Sequence, residues 1–392
     1  MKLIQLTSHI TTWNFNGQRV IVRADLNIPL DGKKIISDYR LQQLKPTLDT
    51  IIRKRGKIIL MTHIGRPEEY SADLSTQLLI PWFEKEDYKI QFVPDLNQAY
   101  DETFEKPDHI LLLDNLRFYP GEEEKDSSFV QSLAQLGDFY VNDAFGTSHR
   151  HDSSIALLPY EFKKSHRTIG LLVEHELKQL NKMLEYPQKP FVAILAGGKL
   201  ADKIPIIDSL LDVVQVLLLG PAIVSTFLHS LGKSVGLSLI DSSLENECRK
   251  LLKKAQEKNI RIVFPHDYQV ALHDINGPLA IAEADTIPSN AVAMSIGPKT
   301  IHEWTGIIQK AGMVFQNGLM GFANKPETLE GILAILRAMS ASSAFSLVGG
   351  GDSVAIAIEN NFQNSLSALS TGGGATLAYI AGKELPGLKP YQ

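Results

Sequence analysis

Short apolar runs alternate with amphipathic segments along the N-terminal half of the chain. Apolar runs of this length predict buried strands, and apolar residues three or four positions apart predict helices that pack on a core. The predicted strands are at 19–24, 57–61, 90–93, 109–113 and 138–141, and the predicted helices include 38–53 and 127–136. Strands that alternate with helices in this way favour a parallel sheet covered by helices.

The C-terminal half repeats the same alternation. Its predicted strands are at 191–195, 214–219, 261–264, 313–315 and 344–348. Between the halves, Val173, Leu177, Leu180 and Leu184 recur at helical spacing and predict an amphipathic helix. We therefore expect an α/β protein with two Rossmann-like domains at 1–170 and 186–382, each a mostly parallel sheet with helices on both faces. A long helix at 171–185 and a hinge join them, and residues 383–392 pack back on the first domain.

Composition limits the kind of protein and its partners. A length of 392 residues, 44% hydrophobic and 21% charged, suits a globular protein with a large core. The net charge of −5 argues against a nucleic-acid or membrane partner. Cys248 is the only cysteine, so no intramolecular disulfide can form, and residues 1–13 lack the apolar core of a signal peptide. We expect a cytoplasmic monomer.

Two glycine-rich loops in the C-terminal half are placed to bind phosphate. Gly349, Gly350 and Gly351 lie between a predicted strand and a predicted helix, and the segment at 370–375 repeats this arrangement. Glycines let the backbone approach a ligand closely, and the unpaired N–H groups at a helix start attract an anion. Asp352 could cap the helix or hold a metal ion. Two such loops together predict a polyphosphate site.

The N-terminal half instead offers arginines at the ends of predicted strands. Nine of the twelve arginines lie in the first 167 residues, whereas twenty of the 28 glycines follow residue 180. Arg23, Arg66, Arg117 and Arg150 come at the carboxyl ends of four strands, and in a parallel sheet those ends meet at one edge. One such arginine would be an ordinary surface charge. Four of them predict an anion site, because the guanidinium group pairs well with phosphate and carboxylate.

Polar residues beside these arginines either extend the anion site or only shape its turns. Asp25 and Asn27 alternate with Arg23, so in an extended segment all three point to one side and could hold a small hydroxylated anion. On local grounds alone, a turn in which Asp25 and Asn27 bond their own backbone is favoured. Histidines flank Arg150, but their spacing is not that of a zinc motif, and the arginine between them would repel a cation.

A lysine pair in the C-terminal half is a further candidate. Lys199 and Lys203 follow two glycines and lie one helical turn apart, so they could face the same phosphate; a solvated surface pair is the alternative. The chain contains neither the Gly-x-x-x-x-Gly-Lys-[Ser/Thr] loop nor the Gly-x-Gly-x-x-Gly dinucleotide motif. The segment at 317–321 could form an apolar wall for a base, or a simple turn.

Taken in order, these motifs resemble those of the phosphoglycerate kinase family. The most specific matches are the segment at 141–150, with its Asn-Asp-Ala-Phe-Gly-Thr run, and the glycine loops at 349–353 and 370–375. The other matches are at 23–29, 63–67, 115–118, 199–204 and 382–387. The resemblance implies reversible phosphoryl transfer between 1,3-bisphosphoglycerate and ADP, giving 3-phosphoglycerate and MgATP, in line and on closure of the two domains.

The resemblance also assigns roles to individual residues. Those expected to bind 3-phosphoglycerate are Arg23, Asp25, Asn27, Arg40, His63, Arg66, Arg117 and Arg150. Those expected to bind the nucleotide are Gly197, Gly198, Lys199, Lys203, Gly220, Asn317, Leu319, Asn324, Gly349, Gly350, Gly351, Asp352, Ser353, Thr371 and Gly372. The expected catalytic residues are Arg40, Lys199, Gly351 and Gly374, and Asp352 is expected to bind Mg²⁺.

Several positions depart from the family pattern, mainly in the nucleotide half. Gln316 and Leu319 replace the tryptophan and proline of a Trp-Asn-Gly-Pro motif, and Asn324 replaces an acid that contacts the ribose. Near the substrate arginines, Asp152 replaces a histidine. We therefore expect altered nucleotide affinity before lost catalysis. Two other hypotheses stay open: a non-catalytic relative that binds nucleotide or phosphate or acts as a scaffold, and a kinase for another small phosphorylated carboxylic acid.

Overall fold

A six-stranded parallel sheet organises each half of the chain. The computed structural model describes residues 9–99 and 109–392. These residues form two units: unit 1 contains the described residues up to Lys178 together with Glu384–Gln392, and unit 2 is Gln179–Lys383. The division therefore falls inside the helix predicted at 171–185.

The four central strands of the unit 1 sheet are buried at almost every position, as is typical of strands covered by helices on both faces. The strands of unit 1 follow in chain order. They are β1 (Arg19–Ala24), β2 (Leu30–Asp31), β3 (Lys34–Ile35), β4 (Lys57–Met61), β5 (Ile90–Val93), β6 (Ile110–Leu113), β7 (Phe139–Asp143) and β8 (Arg167–Ile169). The sheet has the order β5-β6-β4-β1-β7-β8 with every pair parallel, and β2 and β3 form a separate short hairpin.

Helices cover this sheet through apolar faces that the sequence spacing predicts. Leu41, Leu44 and Leu48 follow one another at three and four positions, and they are buried in one cluster with Val22 and Leu60 of the sheet. The helices are α1 (Tyr39–Arg53), α2 (Ile80–Lys85), α3 (Gly121–Glu124), α4 (Ser127–Ala134) and α5 (Leu171–Glu185).

Unit 2 contains a second parallel sheet and a smaller antiparallel one. Its strands are β9 (Phe191–Leu195), β10 (Val216–Leu219), β11 (Arg261–Val263), β12 (Asp267–Leu272), β13 (Leu279–Glu283), β14 (Ala291–Ile296), β15 (Met313–Asn317), β16 (Phe345–Gly349) and β17 (Ala368–Leu369). The parallel sheet has the order β11-β10-β9-β15-β16-β17, and β13-β12-β14 is antiparallel. The remaining helices are α6 (Leu200–Leu210), α7 (Pro221–Ser230), α8 (Glu245–Glu257), α9 (Pro298–Gln309), α10 (Glu330–Ala341), α11 (Gly351–Glu359) and α12 (Gly374–Ile380).

The prediction of an α/β protein with mostly parallel sheets is confirmed. Each predicted strand and helix is present, with ends shifted by no more than two residues. The sequence analysis missed β8 and β17, which have three and two residues and are too short to show a pattern. It also missed the antiparallel sheet, although residues 279–282 of β13 form a continuous apolar run.

The C-terminal segment Glu384–Gln392 belongs to unit 1 although the chain reaches it from unit 2. Asn142 Nδ2 donates a hydrogen bond of 2.8 Å to Gly387 O, and Gly387 N donates one of 2.9 Å to Ser148 O. A Cβ at position 387 would lie 2.5 Å from the Ile155 side chain, so the close approach requires glycine.

Within residues 9–99 and 109–392, the structure contains no helix with the length and apolar character needed to cross a lipid bilayer. Cys248 is buried and carries a free thiol.

Candidate active site

Four neighbouring strands of unit 1 bring polar loops to one edge of the sheet. β6, β4, β1 and β7 are adjacent and parallel, so the loops that follow them begin side by side. These loops carry Asp25, His63, Arg117 and Arg150, and Arg40 reaches them from the first turn of α1.

The loop after β1 is tied to its neighbours by its polar side chains. Arg40 Nη1 lies 2.5 Å from Asp25 Oδ2, and Asn27 Oδ1 accepts a hydrogen bond of 2.9 Å from Gly65 N. Asn27 N donates a longer hydrogen bond of 3.4 Å to Asp25 Oδ1, so the local turn is also present. Asp25 and Asn27 therefore hold this loop against both α1 and the loop after β4.

Asn115 shapes the backbone that presents Arg117. Its Oδ1 accepts a hydrogen bond of 3.1 Å from Arg117 N, and its Nδ2 donates to Ile64 O at 2.7 Å and to Leu74 O at 2.9 Å. Arg117 Nη1 donates to Gly65 O at 2.7 Å. Its Nε and Nη2 are buried and have no hydrogen-bond partner in the part of the chain that the structure describes. Such buried donors require an explanation, and an anionic ligand is one that would satisfy them.

Arg117 and Arg150 lie close together and share two carboxylates. Glu123 Oε1 is 3.1 Å from Arg150 Nη2 and 3.4 Å from Arg117 Nη2. Asp152 Oδ2 is 3.1 Å from Arg150 Nε and 3.7 Å from Arg117 Nη2. Burial, and then the charge of Arg150, lower the pKa of the Arg117 guanidinium, while the two carboxylates act in the opposite direction. Sequence reasoning missed Glu123, because nothing distinguishes it from its acidic neighbours in the chain.

His63 is buried at this edge, and Arg66 is exposed. His63 Nδ1 lies 3.3 Å from Arg23 Nη2. Burial, followed by the charges of Arg23 and the other site arginines, lowers the pKa of His63 well below its usual value. The imidazole is therefore neutral at pH 7, and it can contribute hydrogen bonds but no charge.

Arg23 differs from the other arginines of this edge because its side chain is buried in a hydrogen-bond network. Its side chain is wholly buried: Nε donates to Ser154 Oγ at 2.8 Å, Nη1 donates to Ala24 O, and Nη2 is 3.8 Å from Glu122 Oε1. Ser154 in turn donates to Glu122 Oε1 at 2.6 Å. A buried guanidinium needs such a carboxylate and hydrogen-bond network.

In unit 2 the first glycine loop joins β16 to α11. Gly350 has φ +95, and a Cβ on it or on Gly349 would lie 3.2 Å from Asn317 Nδ2. That amide nitrogen is buried without a hydrogen-bond partner among residues 9–99 and 109–392. Gly351 and Asp352 are exposed on the first turn of α11. The loop thus combines free backbone N–H groups with a buried amide donor, which suits phosphate oxygens.

The two lysines at the start of α6 are placed differently from one another. Lys199 is exposed at the N-cap position, whereas Lys203 is buried and donates a hydrogen bond to Asn317 Oδ1. Burial lowers the pKa of Lys203 to about 8, and Asp202 acts in the opposite direction. Lys199 and Lys203 therefore differ in exposure although they lie one helical turn apart.

The other residues predicted to bind the nucleotide lie in the loops and helices that follow strands of the parallel sheet in unit 2. Gly372 N donates to Ser370 Oγ at 3.2 Å in the second glycine loop, Thr371 is buried, and Gly374 is exposed at the start of α12. Gly220 is the N-cap of α7, and Ser353 is buried within 3.5 Å of the Gln316 amide nitrogen. Gly197 has φ +87, Leu319 is half-buried, and Asn324 is exposed.

A cleft of about 400 Å³ opens beside α6 in unit 2. Gly198 and Lys199 line it, together with Thr226, Leu239 and Ile240. Within the described residues its lining does not include Leu319 or Asn324. The sequence analysis missed Leu239 because an exposed leucine in a loop has no motif around it.

These features define a class of protein. Unit 1 gathers arginines at one sheet edge, and unit 2 carries glycine loops at helix starts and a cleft beside α6. This combination is typical of a phosphotransferase that binds a small anion on one unit and a nucleotide on the other.

The comparisons with known proteins identify the family. The phosphoglycerate kinase family model matches residues 10–383. The chain is 38% identical over 386 residues to a phosphoglycerate kinase of Chlamydia pneumoniae, with 94% of each covered. It is 34% identical over 381 residues to that of Moorella thermoacetica, with 95% of this chain and 96% of the relative covered. The chain therefore belongs to the phosphoglycerate kinase family.

Solved structures agree with this assignment. Phosphoglycerate kinase from Coxiella burnetii matches with a TM-score of 0.82 and 31% identity, and that from Pyrococcus horikoshii with 0.85 and 28%. Both matches cover 97% of each chain. The chain is thus a kinase of glycolysis that transfers a phosphoryl group between ATP and 3-phosphoglycerate, and none of these comparisons favours a non-catalytic relative.

Proposed function

We propose that unit 1 holds 3-phosphoglycerate at the loop edge of its sheet and that unit 2 holds ATP or ADP at its glycine loops. The observation that supports binding of 3-phosphoglycerate by unit 1 concerns Arg117. Its Nε and Nη2 are buried beside Arg150 without a hydrogen-bond partner in the described residues. Two guanidinium groups in this position suit a phosphate dianion, since each donates in a planar fork.

The remaining residues of unit 1 position the acceptor. Arg66 and Arg150 add charge around the phosphate of 3-phosphoglycerate, and neutral His63 donates or accepts a hydrogen bond there. Asp25 and Asn27 bind the hydroxyl and carboxyl end, where Arg40, next to Asp25, reaches the transferring group. Both half-sites are built from one chain, so we take the active species to be a monomer.

In unit 2, Lys199 is the exposed cation that contacts the moving phosphoryl group. Lys203 and Asn317 face the nucleotide phosphates from the buried side, and Gly349, Gly350 and Gly351 supply the floor beneath them. The second glycine loop contacts the nucleotide phosphates through Gly372 and through Gly374, which is exposed at the start of α12. The cleft that contains Leu239 takes the base and ribose.

Mg²⁺ fits this half-site through Asp352. No group of three or more His, Cys, Asp or Glu side chains within 9–99 and 109–392 is arranged to hold a metal ion. Magnesium that binds substrate phosphates needs only one or two protein carboxylates, because phosphate oxygens and water complete its octahedron. Asp352 is such a carboxylate, exposed beside the glycine loop. When bound, the ion neutralises charge on the phosphates.

The chemistry needs no general base. The carboxylate of 3-phosphoglycerate is already ionised at pH 7, so it is a competent nucleophile as it stands. What the chain supplies is alignment of the carboxylate with the γ-phosphorus and cancellation of charge on the equatorial oxygens by Arg40 and Lys199. Transfer also requires the two bound substrates to be brought together, and a closing motion that excludes water does this.

A coupled assay with 3-phosphoglycerate and MgATP tests the proposal. We expect turnover by the wild-type protein and a loss of about a thousandfold or more in kcat for Arg40→Ala and for Lys199→Ala, since charge-stabilising residues in phosphoryl transfer have effects of this order. Arg53→Ala, at the other end of α1, and Lys253→Ala, on exposed α8, are the matched controls and should retain activity. Full activity of either Arg40→Ala or Lys199→Ala would refute the assigned role.

A further inference from the structure

The Glu123 carboxylate lies between Arg117 and Arg150, the two arginines that we propose bind the substrate phosphate. Its Oε1 bridges two guanidinium nitrogens from different loops, Arg150 Nη2 at 3.1 Å and Arg117 Nη2 at 3.4 Å. One carboxylate oxygen that accepts a hydrogen bond from Arg150 and lies within ion-pair distance of Arg117 is placed as a bound phosphate oxygen would be. The carboxylate therefore occupies donors that the substrate phosphate needs.

Asp152, the other carboxylate of the cluster, is placed differently. Its side chain is 8% exposed, and it contacts the Nε edge of Arg150, where Oδ1 accepts a hydrogen bond of 3.2 Å. This contact orients the Arg150 fork, and Asp152 Oδ2 lies farther from Arg117 Nη2, at 3.7 Å, than Glu123 Oε1 does, at 3.4 Å. Asp152 can stay in place when a ligand binds.

Glu123 is free to leave. Its side chain is 56% exposed and belongs to the short helix α3. Among the residues that the structure describes, rotation into solvent breaks its contacts with the two arginines alone. Without a ligand, the carboxylate offsets the repulsion between the arginines. With a phosphate dianion in the site, the same carboxylate is a like charge next to the ligand, and the repulsion favours its departure.

We propose that Glu123 is an internal competitor of the substrate phosphate and that it sets the affinity of unit 1 for 3-phosphoglycerate. This inference rests on the proposed binding of 3-phosphoglycerate at Arg117 and Arg150. The apparent dissociation constant is the intrinsic one divided by the fraction of molecules in which Glu123 has left the arginines. Glu123 thereby keeps the arginine pair from binding weaker anions that cannot displace it.

Calorimetric titration of 3-phosphoglycerate into the nucleotide-free protein tests this role. Glu123→Gln should bind about threefold to tenfold more tightly than wild type, because a neutral amide competes poorly for guanidinium donors. Glu123→Ala should bind at least as tightly as Glu123→Gln. In the coupled assay KM for 3-phosphoglycerate should fall by the same factor, while KM for ATP changes by less than about twofold.

Glu124→Gln is the matched control, because it removes the same charge from the next residue of α3, which is exposed. It should leave the affinity within about twofold of wild type, since exposed charges interact weakly. Equal tightening in Glu123→Gln and Glu124→Gln, or no tightening in Glu123→Gln, would overturn the role of Glu123 while leaving the proposed function standing. Absence of 3-phosphoglycerate binding by the wild-type protein would overturn the proposed function and this inference with it.

Discussion

At the scale of single residues, the loop after β15 comes so close to the loop after β9 that only glycine fits at position 318. Gly318 has φ +93, and a Cβ on it would lie 2.0 Å from Ala196 O. The approach brings Asn317 to Lys203 and to the glycine loop after β16. Both the backbone conformation and the contact therefore require the absence of a side chain.

We expect Gly318→Ala to destabilise unit 2 by about 2 kcal/mol or more, because a left-handed backbone and a clash with backbone atoms add. Thermal unfolding followed by circular dichroism measures the effect. Gly306→Ala is the matched control: Gly306 lies inside α9 with open space around its Cα, so alanine should stabilise by about 0.5–1 kcal/mol. Equal melting temperatures for the two variants would contradict the clash.

Arginines with similar sequence surroundings have different partners in the fold because of their distant neighbours. Arg23 and Arg117 both lie at the end of a predicted strand. Arg23 is drawn into the core by Ser154, which lies 131 positions away, and by Glu122. Arg117 keeps buried donors without a hydrogen-bond partner among the described residues. Local sequence could predict a cluster of cations, but it could not predict which of them is buried and paired with a carboxylate inside the fold.

At the scale of elements, the start of α5 depends on the end of β7. Asp143 Oδ1 accepts hydrogen bonds from Leu172 N at 3.0 Å and Val173 N at 3.3 Å, and Thr47 Oγ1 accepts one of 2.9 Å from Leu171 N. These acceptors satisfy first-turn N–H groups that a helix cannot pair by itself. Burial raises the pKa of Asp143 to about 7, although hydrogen bonds from Thr47, Val173 and Leu172 oppose the shift.

This raised pKa predicts a pH dependence that Asp143→Asn should remove. A folded-state pKa above the unfolded value of about 3.9 means that the stability Asp143 contributes is fully present below about pH 4. It is then lost as the pH rises through about 7. The melting temperature of Asp143→Asn minus that of wild type should therefore rise between pH 4 and pH 7. Above that range this difference should be constant.

Thermal unfolding between pH 4 and pH 8 measures this difference. Asp31→Asn, an exposed acid on β2 in the same unit, is the control and should follow wild type at every pH. A difference between Asp143→Asn and wild type that does not vary with pH would show that Asp143 is ionised in the folded protein throughout.

At the scale of the whole molecule, the chain divides its charges between two units. The arginines that we propose as ligands lie in unit 1, and the glycine loops and Asp352 lie in unit 2. Each half-site is held by contacts within its own unit, such as Arg40 with Asp25 and Lys203 with Asn317. Damage to one half-site should therefore leave the other intact, because distant sites without shared partners behave independently.

We expect Arg66→Ala to weaken binding of 3-phosphoglycerate at least tenfold while binding of MgADP changes by less than about twofold. Asp352→Ala should show the opposite pattern, because it removes a magnesium ligand and leaves unit 1 unchanged. Calorimetric titration of each ligand alone into each variant measures both effects. Loss of both ligands in either variant would argue against separate half-sites.

The sequence by itself determined the class of fold and the list of candidate residues, because both depend on local information. Apolar periodicity gave the strands and helices, and the glycine loops and arginine-bearing strand ends indicated two anion sites. Short elements such as β8 and β17 carried too few residues to form a pattern. Only the tertiary structure decided that Arg23 and Lys203 turn inward and that Glu123 lies between Arg117 and Arg150. The physical reason is that burial and charge pairing arise from residues far apart in the chain, which meet only when the sheet brings its loops to one edge.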